Sequence, residues 1–149
     1  MWKSHPKALP YLFLSEMWER FGYYLMIGIF TLYLKDVGAG FAMTEKEASD
    51  LYGTFIALVF LTPFIGGLVA DRYLGYKKSI VIGGIMMGAG YFMMGIHSLP
   101  MLYLAMTLVI VGNGFFKPNI STLLGNFYNE KQYIEKKDEG YNIFYMGIN

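Results

Sequence analysis

The chain has 149 residues, of which 55% are hydrophobic and only 15% are charged, whereas about 25% are charged in a typical globular protein. Its formal net charge is +1, so no strong electrostatic field is present to attract nucleic acid. It contains no cysteine, which excludes disulfides, thiolate metal sites and a cysteine nucleophile.

Four long apolar stretches follow one another along the chain. A membrane-spanning helix needs about 20 mainly apolar residues, and the second and third stretches carry no charge and no polar face at helical spacing. We therefore predict an all-α fold, a polytopic membrane helix bundle without strands. The four transmembrane helices are predicted at about 10–34, 45–71, 79–97 and 101–125.

Signals at the helix ends agree with this division. Thr44 and Glu47 form a capping-box pattern, which predicts the start of the second helix. Polar residues at 72–78 and 126–140 predict two loops. A further apolar segment begins at Tyr141 and has only nine residues, too few to cross a bilayer. It is either a tail at the membrane interface or the start of a fifth helix, and we favour a fifth helix within the N-terminal part of a longer protein.

Basic residues are unevenly distributed between the two sides of the predicted bundle. Only Lys35 and Lys46 lie on one side, and the other side has eight. The eight are Lys3, Lys7, Arg72, Lys77, Lys78, Lys131, Lys136 and Lys137. Because cytoplasmic loops carry an excess of Lys and Arg, we predict an integral protein of the cell membrane with a cytoplasmic N-terminus and with cytoplasmic loops at 72–78 and 126–140.

Four charged residues fall inside the apolar stretches themselves: Glu16, Glu19 and Arg20 in the first and Lys117 in the fourth. A charge at the bilayer centre costs about 2.5–3.5 kcal/mol on insertion scales, but here two carboxylates balance two cations. Glu16 and Arg20 share a helix face at i, i+4 spacing, and counting residues places Lys117 at nearly the same depth. One interpretation is a static ion-pair network that fixes helix register. We favour the other, a pathway in which the carboxylates exchange protons against ion pairs.

Prolines and glycines in the spans predict bends and close packing. Pro63 and Pro118 each remove a helical hydrogen bond and permit a kink. The pair Gly84-x-x-x-Gly88, together with Gly83 and Gly90, and the segment Gly112–Gly114 predict close approach of neighbouring helices.

Other residues say less about function. Tyr52 either lines a cavity or belongs to an interfacial aromatic belt. The sequence has no metalloprotease motif, nucleophile elbow or phosphate loop, which argues against an enzyme and against a bound cofactor.

Four sequence elements resemble, in order, motifs of the proton-coupled oligopeptide transporters within the major facilitator superfamily. These elements are EMWERFGYY at 16–24, GGLVADRYLG at 66–75, FKPNIS at 116–121 and FYMGIN at 144–149. The resemblance implies two six-helix bundles around a cavity that faces each side in turn, with inward proton flow driving the uptake of di- and tripeptides. This chain corresponds to part of the first bundle, so its implied partners are the second bundle, the lipid bilayer and the peptide, with protons in place of a cofactor.

The resemblance also implies roles for individual residues. Proton coupling and salt-bridge switching would involve Glu16, Glu19, Arg20 and Lys117. Substrate binding would involve Arg20, Tyr23, Tyr24, Tyr52, Lys117 and Asn149. The cytoplasmic gate would include Asp71 and Arg72. Many peptide-transporting members carry a second arginine where this chain has Ile27, which leaves open another small anionic or zwitterionic solute. The alternative function is a complete four-helix membrane protein, such as a small proton-coupled exporter or a non-transporting scaffold.

Overall fold

A computed structural model describes residues 2–149, and the part it describes is all-helical with no strand. The five α-helices are α1 (Leu9–Lys35), α2 (Glu45–Val69), α3 (Tyr76–Met94), α4 (Leu99–Phe127) and α5 (Lys137–Ile148). A π-helical turn (Ala70–Leu74) extends α2, and a 3-10 turn (Ile134–Lys136) precedes α5. The predicted all-α fold, with four long helices and the start of a fifth, is confirmed.

The first turn of α2 is held by the predicted capping box. The Thr44 hydroxyl accepts a hydrogen bond from the backbone N–H of Glu47, and the Glu47 carboxylate accepts one from the backbone N–H of Thr44 at 2.9 Å. Two helical segments are long and apolar enough to cross a membrane: α2 together with its π-helical turn (Glu45–Leu74), and α4 (Leu99–Phe127).

Glycines bring α3 and α4 into close contact, and of the four predicted ones Gly83 and Gly90 lie closest to α4. A Cβ added at Gly83 would overlap the Gly112 carbonyl, and one added at Gly90 would overlap Val109. A Cβ at Gly88 would meet no atom within 4 Å. The closest contacts therefore come from Gly83 and Gly90, seven residues or about two helical turns apart, as the glycine pattern predicted, whereas Gly88 of the predicted group makes no such contact.

The α2–α4 contact is equally close. Gly66 lies against the backbone carbonyl of Gly114, so that a side chain at either position would collide with the facing helix. The Thr62 hydroxyl donates a hydrogen bond to the Ile110 carbonyl at 2.9 Å across the same interface. This confirms the predicted packing role of Gly112–Gly114.

Two apolar clusters divide the bundle along its length. One surrounds Phe30, Phe55 and Leu102, and the other surrounds Leu124 and Phe144 near the opposite ends of the same helices. Glu16 and Arg20 on α1 and Asn113 on α4, all buried, come between the residues of these two clusters. The bundle thus has a polar layer between two apolar ones.

Both segments predicted as loops are largely helical. The π-helical turn continues to Leu74, and α3 begins at Tyr76, because Gly75 adopts a φ of +78° that reverses the chain in one residue. Likewise α5 already begins at Lys137. In its first turn Gly140 packs so closely against Tyr128 that an added Cβ would overlap the tyrosine ring. Charged residues mark the ends of apolar stretches, and these helices extend beyond those ends.

Candidate functional site

Arg20 is the centre of the buried polar layer. It is only 5% exposed, and its guanidinium forms two hydrogen bonds with the two carboxylate oxygens of Glu19. Its distance to the carboxylate of Glu16 is 3.8 Å. The i, i+4 pair predicted from spacing is therefore present, but the neighbouring Glu19 is the closer partner because it meets the guanidinium through both of its oxygens.

Of the two carboxylates near Arg20, that of Glu16 is more deeply buried than that of Glu19. It is 2% exposed, and its Oε2 has no hydrogen-bond partner within residues 2–149. A buried carboxylate with so little compensation is costly to keep charged. Glu16 is therefore suited to take up a proton.

Two aromatic rings extend the Arg20 site along α1. The guanidinium carbon lies 4.7 Å from the ring centroid of Tyr23 and 5.9 Å from that of Tyr24. Both distances are within the range of a cation–π interaction. Tyr23 is buried, whereas Tyr24 is 53% exposed and faces a groove.

This groove brings together predicted residues that are far apart in sequence. Arg20 and Tyr24 on α1 line it opposite Asn149 at the end of α5, and its volume is about 540 Å³. The remaining lining residues are Met17, Phe21, Leu25, Met146, Gly147 and Ile148. A buried cation at the wall of an open groove can bind the carboxylate of a small solute.

Lys117 and Tyr52 do not line the groove. Within the described chain no carboxylate comes within 4.0 Å of the Lys117 ammonium group, which lies 5.8 Å from the ring of Phe60 on α2. The predicted ion pair between Lys117 and a glutamate of α1 is therefore not formed in this structure. Tyr52 packs beside Phe30, with ring centroids 6.3 Å apart.

Asn113 belongs to the site and was assigned to packing by the sequence. It is 1% exposed, accepts a hydrogen bond from Arg20 at 3.3 Å and donates one to the Val59 carbonyl at 3.0 Å. The available signal was an amide inside an apolar helix, four residues before Lys117 and hence on the same face. It connects α1, α2 and α4 at one point.

The residues predicted for the gate lie in the π-helical turn after α2. Asp71 and Arg72 are both exposed, and the Tyr76 hydroxyl donates a hydrogen bond to Asp71 at 2.6 Å. That hydrogen bond raises the pKa of Tyr76. Within residues 2–149, neither Asp71 nor Arg72 has a further side-chain hydrogen bond or ion pair.

A second buried polar cluster, here called the His5 cluster, lies where α4 ends and α5 begins. The Nδ1 atom of His5 is 2.6 Å from the hydroxyl of Tyr128, and its Nε2 atom is 3.4 Å from the carboxylate of Glu139. Burial, with a smaller contribution from Glu139, raises the pKa of Tyr128 to about 12. The sequence analysis assigned no role to these residues.

Comparisons with known proteins match nearly the whole chain. The profile of the POT family matches residues 77–149. The chain is 38% identical, over 98% of its length, to a protein of Lactococcus lactis subsp. lactis (strain IL1403) named di-/tripeptide transporter. It covers 30% of that relative.

Solved structures agree with this match. A peptide transporter POT in complex with sulfate superposes with a TM-score of 0.92 at 36% identity, over 99% of this chain and 30% of that one. A POT family transporter in complex with a thioalcohol conjugated peptide superposes with a TM-score of 0.91 at 30% identity, over the same shares. This chain thus spans about 30% of the length of these relatives.

Proposed function

The chain belongs to the POT family, and on that premise we propose that it supplies part of a proton-coupled symporter for di- and tripeptides that works by alternating access. Members of this family are membrane transport proteins, so the prediction that the chain is not an enzyme is confirmed. The observation that carries the proposal is Arg20, which is paired with two acidic residues and lies in the wall of an open groove.

The proposed proton acceptors are Glu16 and Glu19. Protonating Glu19 removes the negative charge that holds the Arg20 guanidinium, so Arg20 becomes available to a substrate carboxylate. Glu16 lacks a partner at Oε2 and takes up a proton at little structural cost. Protons are thus the coupling ion, and no cofactor is part of this proposal.

The proposed substrate site is the groove. Arg20 holds the carboxylate of the peptide, Tyr23 and Tyr24 present their rings beside it, and Asn149 contacts the peptide backbone or amino end. Support comes from the relative named a di-/tripeptide transporter and from the relative solved with a conjugated peptide. Because Ile27 has no charge, a small anionic or zwitterionic solute is the competing substrate.

Two other predicted residues enter this site only after a change of shape. Lys117 and Tyr52 are outside the groove here, and we propose that they contact substrate in another state of the alternating cycle. Asp71 and Arg72 then act in the cytoplasmic gate between α2 and α3. In the assembled protein, a second helix bundle faces this one in the cell membrane, with the N-terminus in the cytoplasm.

The test is to compare two transport assays in the full-length protein reconstituted in vesicles. Glu19→Gln is expected to abolish peptide uptake driven by a pH gradient and to retain equilibrium counterflow, because counterflow needs no net proton movement. Glu45→Gln, which changes an exposed carboxylate at the start of α2, is the matched control. Gradient-driven uptake that survives Glu19→Gln would contradict the proton role of this residue.

A further inference from the structure

The inference begins at the proline inside α2. Pro63 has no N–H, so the carbonyl four residues earlier, that of Val59, loses the donor that an unbroken helix would provide. The helix nevertheless continues to Val69. Inside a membrane such a carbonyl needs a donor from a neighbouring helix.

Asn113 on α4 supplies that donor. Its Nδ2 donates to the Val59 carbonyl at 3.0 Å, and both residues are buried. With its nitrogen held against α2, the Asn113 amide directs its oxygen toward α1. On that side the Arg20 guanidinium donates to Oδ1 at 3.3 Å.

The other partners of Arg20 all belong to its own helix. Glu16, Glu19, Tyr23 and Tyr24 are residues of α1. Across residues 2–149, Asn113 is the one hydrogen-bond partner that Arg20 has on another helix. It is also neutral, so its contact with Arg20 does not depend on the protonation of a carboxylate.

We propose that Asn113 is a positioning residue for Arg20, anchored on the carbonyl that Pro63 frees and holding the guanidinium at the groove when Glu19 releases it. This inference rests on the proposed function. Without Asn113, a released Arg20 is free to turn toward Glu16, 3.8 Å away, and to leave the groove. Asn113 therefore sets substrate affinity rather than the rate of proton transfer.

The first experiment measures peptide binding and uptake by the full-length transporter with Asn113→Leu. Leucine has a similar volume and no polar atom, so a hydrogen bond to a charged group is lost, and binding is expected to weaken about tenfold. KM should rise with kcat little changed. An unchanged KM in a folded, transporting variant would overturn the inference.

A second variant, Asn113→Asp, separates positioning from simple packing. It keeps an acceptor for Arg20 but adds a carboxylate that competes with the substrate for the guanidinium. Binding should therefore be weak at neutral pH and recover toward the wild-type value as acid protonates the new carboxylate. A merely structural role would not produce this pH profile, and a profile identical to wild type would contradict the proposal.

The matched control is Asn119→Leu. Asn119 is also a buried asparagine of α4, but its amide donates to the Phe115 carbonyl of its own helix. It should lower thermal stability without changing KM. If Asn119→Leu raised KM as much as Asn113→Leu, the effect would come from packing in α4 and the inference would fail.

Pro63→Ala tests the anchor itself. It restores a backbone N–H to the Val59 carbonyl, which straightens α2 and competes with Asn113. We expect a smaller rise in KM than for Asn113→Leu, and no further rise when the two changes are combined; fully additive effects would contradict a shared mechanism. Failure of the proposed function would look different, because wild-type protein would then transport no peptide.

Discussion

The Arg20 site and the His5 cluster are both buried polar contacts between α4 and another part of the chain, but their charges are arranged differently. In the Arg20 site two carboxylates compete for one guanidinium, and one carboxylate oxygen is left without a partner. In the His5 cluster a buried histidine and tyrosine share one short hydrogen bond, and the acidic member, Glu139, has a side chain that is 61% exposed. Water can solvate that carboxylate, so its charge needs no buried partner. Within residues 2–149 the His5 Nε2 atom also has no hydrogen-bond partner, so what distinguishes the Arg20 site is its two buried carboxylates beside one cation.

This difference indicates which cluster is suited to change state. A site with more acceptors than one cation can satisfy is easily altered by a proton or by a substrate carboxylate. A hydrogen-bonded histidine and tyrosine with a solvated acid nearby mainly fix the relative position of the segments they join. We therefore propose that the Arg20 site changes state and that the His5 cluster gives structural support.

The largest expected effect comes from removing the shared cation. Arg20→Leu leaves Glu16 and Glu19 buried without a counter-ion, which should lower the free energy of unfolding by about 3–5 kcal/mol. The loss should shrink as the pH falls, because protonated carboxylates need no cation. Thermal unfolding of the detergent-solubilised full-length protein across a pH series measures this.

Its control is Lys35→Gln, which removes an exposed ion pair with Glu45. An exposed pair contributes at most about 1 kcal/mol, so this variant should change stability little at any pH. If Arg20→Leu unfolded at the wild-type temperature at neutral pH, the contrast between the two clusters would not hold.

A middle-sized effect is expected at the His5 cluster. Tyr128→Phe leaves the buried His5 Nδ1 without its partner, which should cost about 1–3 kcal/mol of stability. The change is measured by thermal unfolding at neutral pH, and gradient-driven transport should persist in the variant.

The same tyrosine predicts a loss of stability in alkali. Its pKa is about 12 in the folded protein against 10.0 for the free side chain, because burial disfavours the phenolate. The stabilising contribution of the neutral phenol is therefore complete below about pH 10 and is lost as the pH rises toward about 12. This part of the alkaline loss should be missing in Tyr128→Phe.

The smallest effect is expected for Glu139→Gln. Its carboxylate is largely exposed and lies 3.4 Å from His5, so removing the charge should change the unfolding free energy by less than about 1 kcal/mol. Glu16→Gln, a matched change in the buried site, should instead alter the pH dependence of transport. Equal effects of the two substitutions on transport would remove the distinction drawn between the clusters.

Residue order and composition predicted the helices and much of the charged site. Uncharged stretches of about 20 residues fold as spanning helices because the backbone must satisfy its hydrogen bonds internally in lipid. Glu16, Glu19 and Arg20 lie within little more than one turn of α1, so helix formation alone brings them close together. The capping box at Thr44 is local in the same way.

Contacts between helices depended on the tertiary structure. Lys117 lies beside the ring of Phe60 and forms no ion pair with α1, while Asn113, one turn earlier, accepts a hydrogen bond from Arg20. The sequence also did not show that Asn149 lines the same groove as Arg20, or which of the four predicted glycines of α3 lie closest to α4. Hydropathy and helical period are properties of neighbouring residues and fix where a helix runs, whereas the rotation of one helix against another is set by close packing between residues distant in the chain.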